Sequence, residues 1–363
     1  MMTAAHAQPP EGGAPARPPE AGTPADRLPR LKALVERLRL ARRVAIFTHQ
    51  RPDPDALGSQ AAIACILDRL GAKEIYRMQF AEAPAPYRFL QENVPGETAT
   101  WGSEWAGSAG GAVDTIVIVD TCTYQQLEPA QNFLKAEHAK IVAIDHHLSR
   151  DPIGPADYLY DDTSAAACVE ILWDLAKAAG VAIDKQIALP LMAGLVGDTG
   201  WFRFDSVTPR THLMAADLVR HINPAALYQR LMQNETRPKL ALMQRALTST
   251  RWALDDRFAC MLLAPADFTE TGATQNQTEY LVDMPMSVRT VEVVALMTEM
   301  PDGRVRASLR AKGDVDVNRI CNQFEGGGHA KAAGCRMDGP LDRAYGRLAA
   351  AVEKALHAVR SMP

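Results

Sequence analysis

Between Phe47 and Gln60 the chain reads FTHQRPDPDALGSQ, which places one imidazole, His49, and two carboxylates, Asp53 and Asp55, within seven residues. Similar groups recur downstream: Asp120 closes DTIVIVD, Asp145, His146 and His147 close AKIVAIDHH, and Asp198 lies in GLVGDTGWF. Oxygen-rich donor sets with some imidazole suit manganese or magnesium, whereas structural zinc usually draws on cysteine. Six donors (His49, Asp53, Asp55, Asp120, His146 and Asp198) are too many for one ion that must keep a position open for water and substrate. They suit two ions about 3.5–4 Å apart that share a carboxylate, the arrangement that clamps attacking and leaving oxygens in phosphoryl transfer. Taken singly, an Asp after a strand is more often the N-cap of the next helix, and a lone His is more often a surface or hydrogen-bonded residue. Four clusters, each directly after a strand or an apolar segment, outweigh that plainer account.

The elements that must hold these groups follow from periodicity. An amphipathic helix over Leu28–Leu40 runs into a buried strand, Val44–Thr48, and a helix beginning in DPDALGSQ is stopped by Gly71. Strands ending on Asp120 and Asp145 alternate with helical segments, which predicts βαβ units and a doubly wound, mainly parallel sheet, with ligands beyond its carboxyl ends. Asp198 ends a further apolar segment, with Gly197 and Gly200 leaving its carboxylate unobstructed. Two helices are expected across VTPRTHLMAADLVRHINPAALYQRLMQ. After a helical connector, a smaller mixed α/β domain begins near residue 250, with strands around Phe258–Leu263, Val291–Met300 and Arg304–Arg310. The expected division is a disordered tail over 1–28, a catalytic domain over 29–232, a linker over 233–250 and a substrate-binding domain over 251–363.

Composition narrows the partners. Of 363 residues, 47% are hydrophobic and 23% charged, the balance of an ordinary globular chain. A net charge of −4 argues against gripping long duplex nucleic acid through many phosphates. The six cysteines are scattered without a C-x-x-C pair and read as reduced thiols rather than a disulfide framework. The leading 28 residues, rich in Pro, Ala, Gly and Glu, contain no apolar run, and no segment reaches the roughly 18 apolar residues of a membrane span. A cytoplasmic location and no membrane partner are the expectation, and a homodimer is compatible with the chain.

The second domain contains SLRAKGDVDVNRICNQFEGGGHAKAAGC. Gly326, Gly327 and Gly328 before His329 predict a loop whose amides can approach an anion, with Arg310 and Lys312 as phosphate partners. Trp201 and Phe202, beside Asp198, are the aromatics best placed to stack a base, although core packing is the plainer account of each.

Taken in order, HQRPDPDALGS, VDTC, DHH and GDTGWF resemble the DHH phosphoesterase family, and GGGHAKAAG is similar to the glycine-rich signature of its DHH-associated C-terminal domain. The resemblance covers nearly everything from about residue 30 onward and implies two manganese ions, with magnesium as the alternative. It implies that His49, Asp53 and Asp120 hold one ion while Asp55, Asp120, His146 and Asp198 hold the other, Asp120 being the bridge. The implied nucleophile is a water acidified by the cations. His147 would face the scissile phosphate, Asp145 would orient the histidine pair, and His329 and Arg310 would bind the phosphate or terminal nucleotide. Length and domain content look most like the bifunctional oligoribonuclease and 3′-phosphoadenosine 5′-phosphate phosphatase group, acting on short single-stranded RNA and adenosine 3′,5′-bisphosphate. The alternative is a cyclic-dinucleotide or linear dinucleotide phosphodiesterase; a single-strand exonuclease and a silent nucleotide-binding module are further behind. One departure is Ala311, where many relatives carry a serine after the S-L-R triplet.

Overall fold

Short aliphatic runs buried on both faces build the sheet that carries the clusters. The computed structural model describes residues 24–108, 112–136, 139–147, 158–278 and 280–360, and divides into two units between Asn234 and Glu235. In the first unit, strands β1 (Arg43–Phe47), β2 (Glu74–Gln79), β3 (Glu97–Thr100), β4 (Thr115–Val119), β5 (Lys140–Asp145) and β6 (Tyr158–Asp161) form one sheet. All its pairings are parallel, in the order β3-β2-β1-β4-β5-β6. The order reverses between β1 and β4, the switch point where open α/β sheets bind ligands. Val44 and Ile46 of β1 enter one core and Ala45 and Phe47 enter another, so the strand is apolar throughout.

Helices α1 (Pro24–Leu40), α2 (Pro54–Leu70), α5 (Cys168–Ala179), α6 (Lys185–Asp198) and α7 (Pro209–Leu218) supply the first core. The short helices α3 (Ser103–Gly107) and α4 (Gln131–Lys135) and the surface helix α8 (Pro224–Met232) complete the unit. The helix expected from Leu28 starts at Pro24, so residues 24–28 belong to it rather than to the tail. Arg27 and Arg30 pair with Asp162 and Asp161 at 3.1 and 2.7 Å, long-range contacts that local composition cannot display. Residues 1–23 of the expected tail lie outside the described residues. Among the described residues, no helix is long and apolar enough to cross a membrane.

Two helices must touch for the clusters to form. A Cβ on Gly58 of α2 would overlap the Pro190 carbonyl oxygen of α6, and one on Gly194 of α6 would lie 2.6 Å from Asp55 Oδ1. Backbone-to-backbone contact therefore brings Asp55, near the start of α2, to Asp198, at the end of α6. Gln60, also on α2, is buried and donates to the Ile46 and Met78 carbonyls at 3.0 and 2.9 Å, which ties the helix to β1 and β2.

The second unit is a mixed sheet of β7 (Arg251–Ala253), β8 (Phe258–Leu263), β9 (Val293–Glu299), β10 (Arg304–Ala311), β11 (Glu325–Gly328) and β12 (Ala332–Asp338), ordered β11-β12-β10-β9-β8-β7. Only the β8–β9 pairing is parallel. Its helices are α9 (Arg237–Thr248), α10 (Pro265–Thr271), α11 (Val317–Cys321) and α12 (Leu341–Arg360). The stretch read as a connector forms α9, whose Leu242 and Ala246 are buried with Met261 and Leu296 of this unit's sheet.

The same substitution should act with opposite signs at two helical glycines. Gly58→Ala overpacks the α2–α6 crossing and is expected to cost about 1–3 kcal/mol. Gly346→Ala on α12, where an added Cβ meets nothing within 4 Å, should stabilise by up to about 1 kcal/mol. Urea denaturation of the two variants checks the contrast.

Candidate metal centre

Each functional side chain is aimed by an identifiable local device. Asp53 is the N-cap of α2: its Oδ1 accepts from the Asp55 and Ala56 amides at 2.9 and 3.0 Å, leaving the second oxygen free. The plainer capping account therefore holds for one oxygen, and the other stays available to a ligand. Asp120 follows β4 in the left-handed region at φ 60°, a conformation that Asp tolerates better than most side chains. Asp55 is fully buried, and its two oxygens accept from the Cys168 and Val169 amides at 2.6 and 3.1 Å. The residue that precedes α5, Ala167, has no side-chain cap to offer, so Asp55 caps the helix from α2.

Three strand ends and one helix end converge. His49, Asp53 and Asp120 form one donor cluster and Asp55, His146 and Asp198 a second, the donor atoms of each lying within 4.8 Å of one another. Asp120 faces both: Oδ2 lies 3.5 Å from His49 Nε2, and Oδ1 lies 3.4 Å from His146 Nε2. His146 Nε2 is also 3.2 Å from Asp198 Oδ2 and 3.8 Å from Asp55 Oδ2. Asp120 Oδ1 and His146 Nε2 are buried and make no hydrogen bond, as expected of ligand atoms that await a cation. The His146 Nδ1 faces the Ala165 carbonyl at 3.4 Å; a carbonyl only accepts, so Nδ1 carries a proton and Nε2 is the ring nitrogen turned toward the carboxylates, the one a cation would take on displacing its proton. His147 donates from Nδ1 to Asp145 at 2.7 Å and is about half exposed, which leaves Nε2 toward solvent. The donor set of these residues fits divalent cations.

Known proteins resemble the chain over most of its length. A model of the DHH family N-terminal domain matches residues 43–195, and one of the DHHA1 domain matches residues 257–361. A bifunctional oligoribonuclease and PAP phosphatase, NrnA, of Thermus thermophilus is 30% identical over 86% of this chain and 90% of its own length.

The chain belongs to the DHH phosphoesterase family.

As a DHH phosphoesterase it is a hydrolase of phosphoester bonds. A second relative, a probable bifunctional oligoribonuclease and PAP phosphatase of Streptococcus mutans, is 28% identical over 84% of this chain and 92% of its own. An exopolyphosphatase-related protein from Bacteroides fragilis shares the fold, with a TM-score of 0.79 at 21% identity over 90% of this chain and 96% of that one.

Electrostatics at the DHH centre are those of a site built for a cation. Burial, together with the charges of Asp120 and Asp198, raises Asp53 to about 6 and holds Asp55 well above the usual carboxylate range. Burial also opposes the charged form of Asp120, but His146 and His49 outweigh it and pull Asp120 down to about 2. The two imidazoles respond in kind: burial disfavours their charge, yet Asp120 raises His49, and Asp120 and Asp198 raise His146. The direct bond to Asp145 raises His147. Without a metal, protons take the place of the cations.

Sequence reasoning expected Asp198 beyond an apolar segment; it is the last residue of α6, brought in by the glycine-mediated crossing. Beyond it, Gly200, Trp201 and Phe202 are all left-handed, at φ 53°, 59° and 64°. Trp201 packs edge-on against Tyr228 and Phe202 stacks on His212, both against the first unit's core, which agrees with their plainer account. The predicted glycine loop is instead the edge strand β11 on β12, where a Cβ on Gly326 would overlap Gly334 O and the Cys335 side chain. Glycine is depleted in strands, so three in a row read as loop; here they permit close strand contact. Register places Arg310 opposite Ala332, whose carbonyl accepts the His329 amide at 2.8 Å, so these two expected substrate residues flank one position. Arg310 is partly engaged by Asp283 at 3.4 Å, and Lys312 donates to the Val288 carbonyl at 2.7 Å. Arg306 and Arg336, directly opposite each other and exposed, were missed; the period-two pattern of RVRASLRA was the available signal for Arg306.

Cation binding must displace protons from Asp53, His49 and His146. Their raised values place those protons on the metal-free protein near and above pH 6, so affinity should rise with pH. Calorimetric titration with manganese should show binding at least about tenfold weaker at pH 6 than at pH 8, with a heat that depends on the ionisation enthalpy of the buffer. Binding independent of pH and buffer would contradict this account.

Proposed function

We propose that the chain hydrolyses short oligoribonucleotides to mononucleotides and dephosphorylates adenosine 3′,5′-bisphosphate, with two divalent cations at the DHH centre. The observation that carries the chemistry is the division of Asp120 between two donor clusters, one oxygen toward each. Full-length similarity to relatives named for both activities supports the substrate class.

In this reading His49 and Asp53 hold one cation, Asp55, His146 and Asp198 hold the other, and Asp120 is common to both. Manganese suits the mixed oxygen and imidazole donors, with magnesium as the alternative. When bound, the pair acidifies a water near neutral pH and neutralises charge that develops on the phosphate. The protein's own contribution is positional. The Ala165 carbonyl and the α5 amides fix His146 and Asp55 before substrate arrives. Asp145 holds the His147 ring with Nε2 outward, where it can give a proton to the departing oxygen or polarise the phosphate. The second unit would recognise phosphate and base through Arg310 and His329, with Gly326, Gly327 and Gly328 of β11 leaving no side chain in the way. Arg306 and Arg336 on the same sheet add positive charge suited to a further phosphate.

Purified protein with manganese, offered two-to-five-nucleotide RNA, adenosine 3′,5′-bisphosphate, a cyclic dinucleotide and pyrophosphate in parallel, is expected to turn over the first two. Cleavage of the cyclic dinucleotide alone would move the chain to the phosphodiesterase branch. Asp120→Ala should lose at least about a thousandfold in kcat on every substrate, because both clusters lose a donor. His147→Asn should lose about a hundredfold in kcat with manganese affinity unchanged. Full activity in Asp120→Ala would refute the shared-carboxylate assignment.

A further inference from the structure

The segment Asp162–Cys168 supports the metal centre from behind at two points. Its middle offers the Ala165 carbonyl to His146 Nδ1 at 3.4 Å, and its exit into α5 delivers the Cys168 and Val169 amides to the two oxygens of Asp55. The segment contains no proline to stiffen it; within it, Asp162 accepts from Ser164 Oγ at 2.6 Å and the Ala165 amide donates to the Asp162 carbonyl at 3.0 Å, while its two ends are tied to β5 by the Asp162 amide on the Asp145 carbonyl at 3.1 Å and Cys168 Sγ on the Ile144 carbonyl at 3.4 Å. Something outside must fix it.

That anchor is Arg210 on α7. Its Nη1 lies 3.0 Å from Asp162 Oδ2 at the entrance of the segment and 3.6 Å from Glu170 Oε2 just past its exit. Glu170 is fully buried and uses the same Oε2 to accept the Ala166 amide at 2.9 Å, inside the segment. Nη2 completes the grip on Asp174 of α5 at 2.8 Å. One guanidinium thus clamps both ends of a seven-residue arch whose underside holds two of the donor residues. A planar fork can do this; a point charge on a flexible stem cannot hold several carboxylates in one fixed geometry. Arg27 also reaches the segment, at Asp162 (3.1 Å) and through a donated bond to Ser164 Oγ (2.8 Å), but it does not reach the exit into α5.

We propose that Arg210 is a positioning residue of the metal centre: by clamping Asp162 and Glu170 it holds the Ala165 carbonyl and the α5 amides that orient His146 and Asp55. This rests on the two-cation reading above. Loss of an outer support of this kind typically lowers metal affinity by about 10–100-fold. Loss of stability alone would not change affinity in protein that remains folded.

The test compares Arg210→Met, Arg210→Lys and Asp174→Asn with the parent protein. Manganese affinity is read by electron paramagnetic resonance well below each melting temperature, and the His146 ring nitrogens by 15N NMR of the metal-free protein. Arg210→Met is expected to bind manganese about 10–100-fold more weakly, with activity largely restored at high manganese. Its His146 Nδ1 proton should exchange faster. Arg210→Lys should fall between it and the parent, and Asp174→Asn, which leaves the clamp on the arch in place, should match the parent within about threefold. Folded Arg210→Met with parental affinity and parental ring signals would overturn the proposal. If that variant does not fold, Arg210→Lys decides on the same two readouts. Failure of the parent protein to bind manganese would instead refute the two-cation reading, while the metal-free ring signals would still report whether Arg210 positions His146.

Discussion

Four carboxylates, those of Asp53, Asp55, Asp120 and Asp198, share one largely buried volume, and they cannot all be ionised there without positive charge beside them. Much of the first unit can be understood as an answer to that constraint. The α2 amides take one oxygen of Asp53, the α5 amides take both oxygens of Asp55, and two imidazoles flank Asp120. These partners are fractional or titratable, and their sum leaves room for divalent charge. The parallel sheet matters because its switch point brings strand ends and helix N-termini together, the place where partial positive charge from backbone amides is densest.

What was legible in the sequence was whatever local order encodes. His49, Asp120 and the Asp145-His146-His147 group stand directly after apolar strands, so residue type and position sufficed to collect them. The mixed second sheet was visible from β-rich runs around Phe258 and Arg304. Less legible were features set by contacts between distant segments: Asp55 as the cap of α5, Gln60 bridging two strands, and Arg210 spanning Asp162 to Asp174. In each case the residue's partner lies far along the chain, and nothing in its neighbourhood marks it. The glycine run failed for another reason, since the property that makes glycine common in loops also lets an edge strand lie close on its neighbour.

The second unit contributes a different kind of order. Its β10–β12 pairing puts Arg306 opposite Arg336, and like charges in that position disfavour the sheet unless an anion or solvent separates them. On the same sheet Glu325 lies opposite Arg336 and pairs with Arg304, and Asp338 lies opposite Arg304, so the arginines are interleaved with carboxylates.

The left-handed run after Asp198 bears on the history of the chain. Thr199 donates its hydroxyl to the Leu195 carbonyl and accepts the Phe202 amide, and its own carbonyl takes the amides of Arg203 and Phe204. With three successive residues coiled the unfavoured way and both ends stitched to one threonine, the segment has no slack. Adding or deleting a single residue between Leu195 and Phe204 would unravel the knot and rotate the Asp198 carboxylate away from His146. Changes of length cannot be absorbed here, so this short span should stay free of gaps however far relatives diverge.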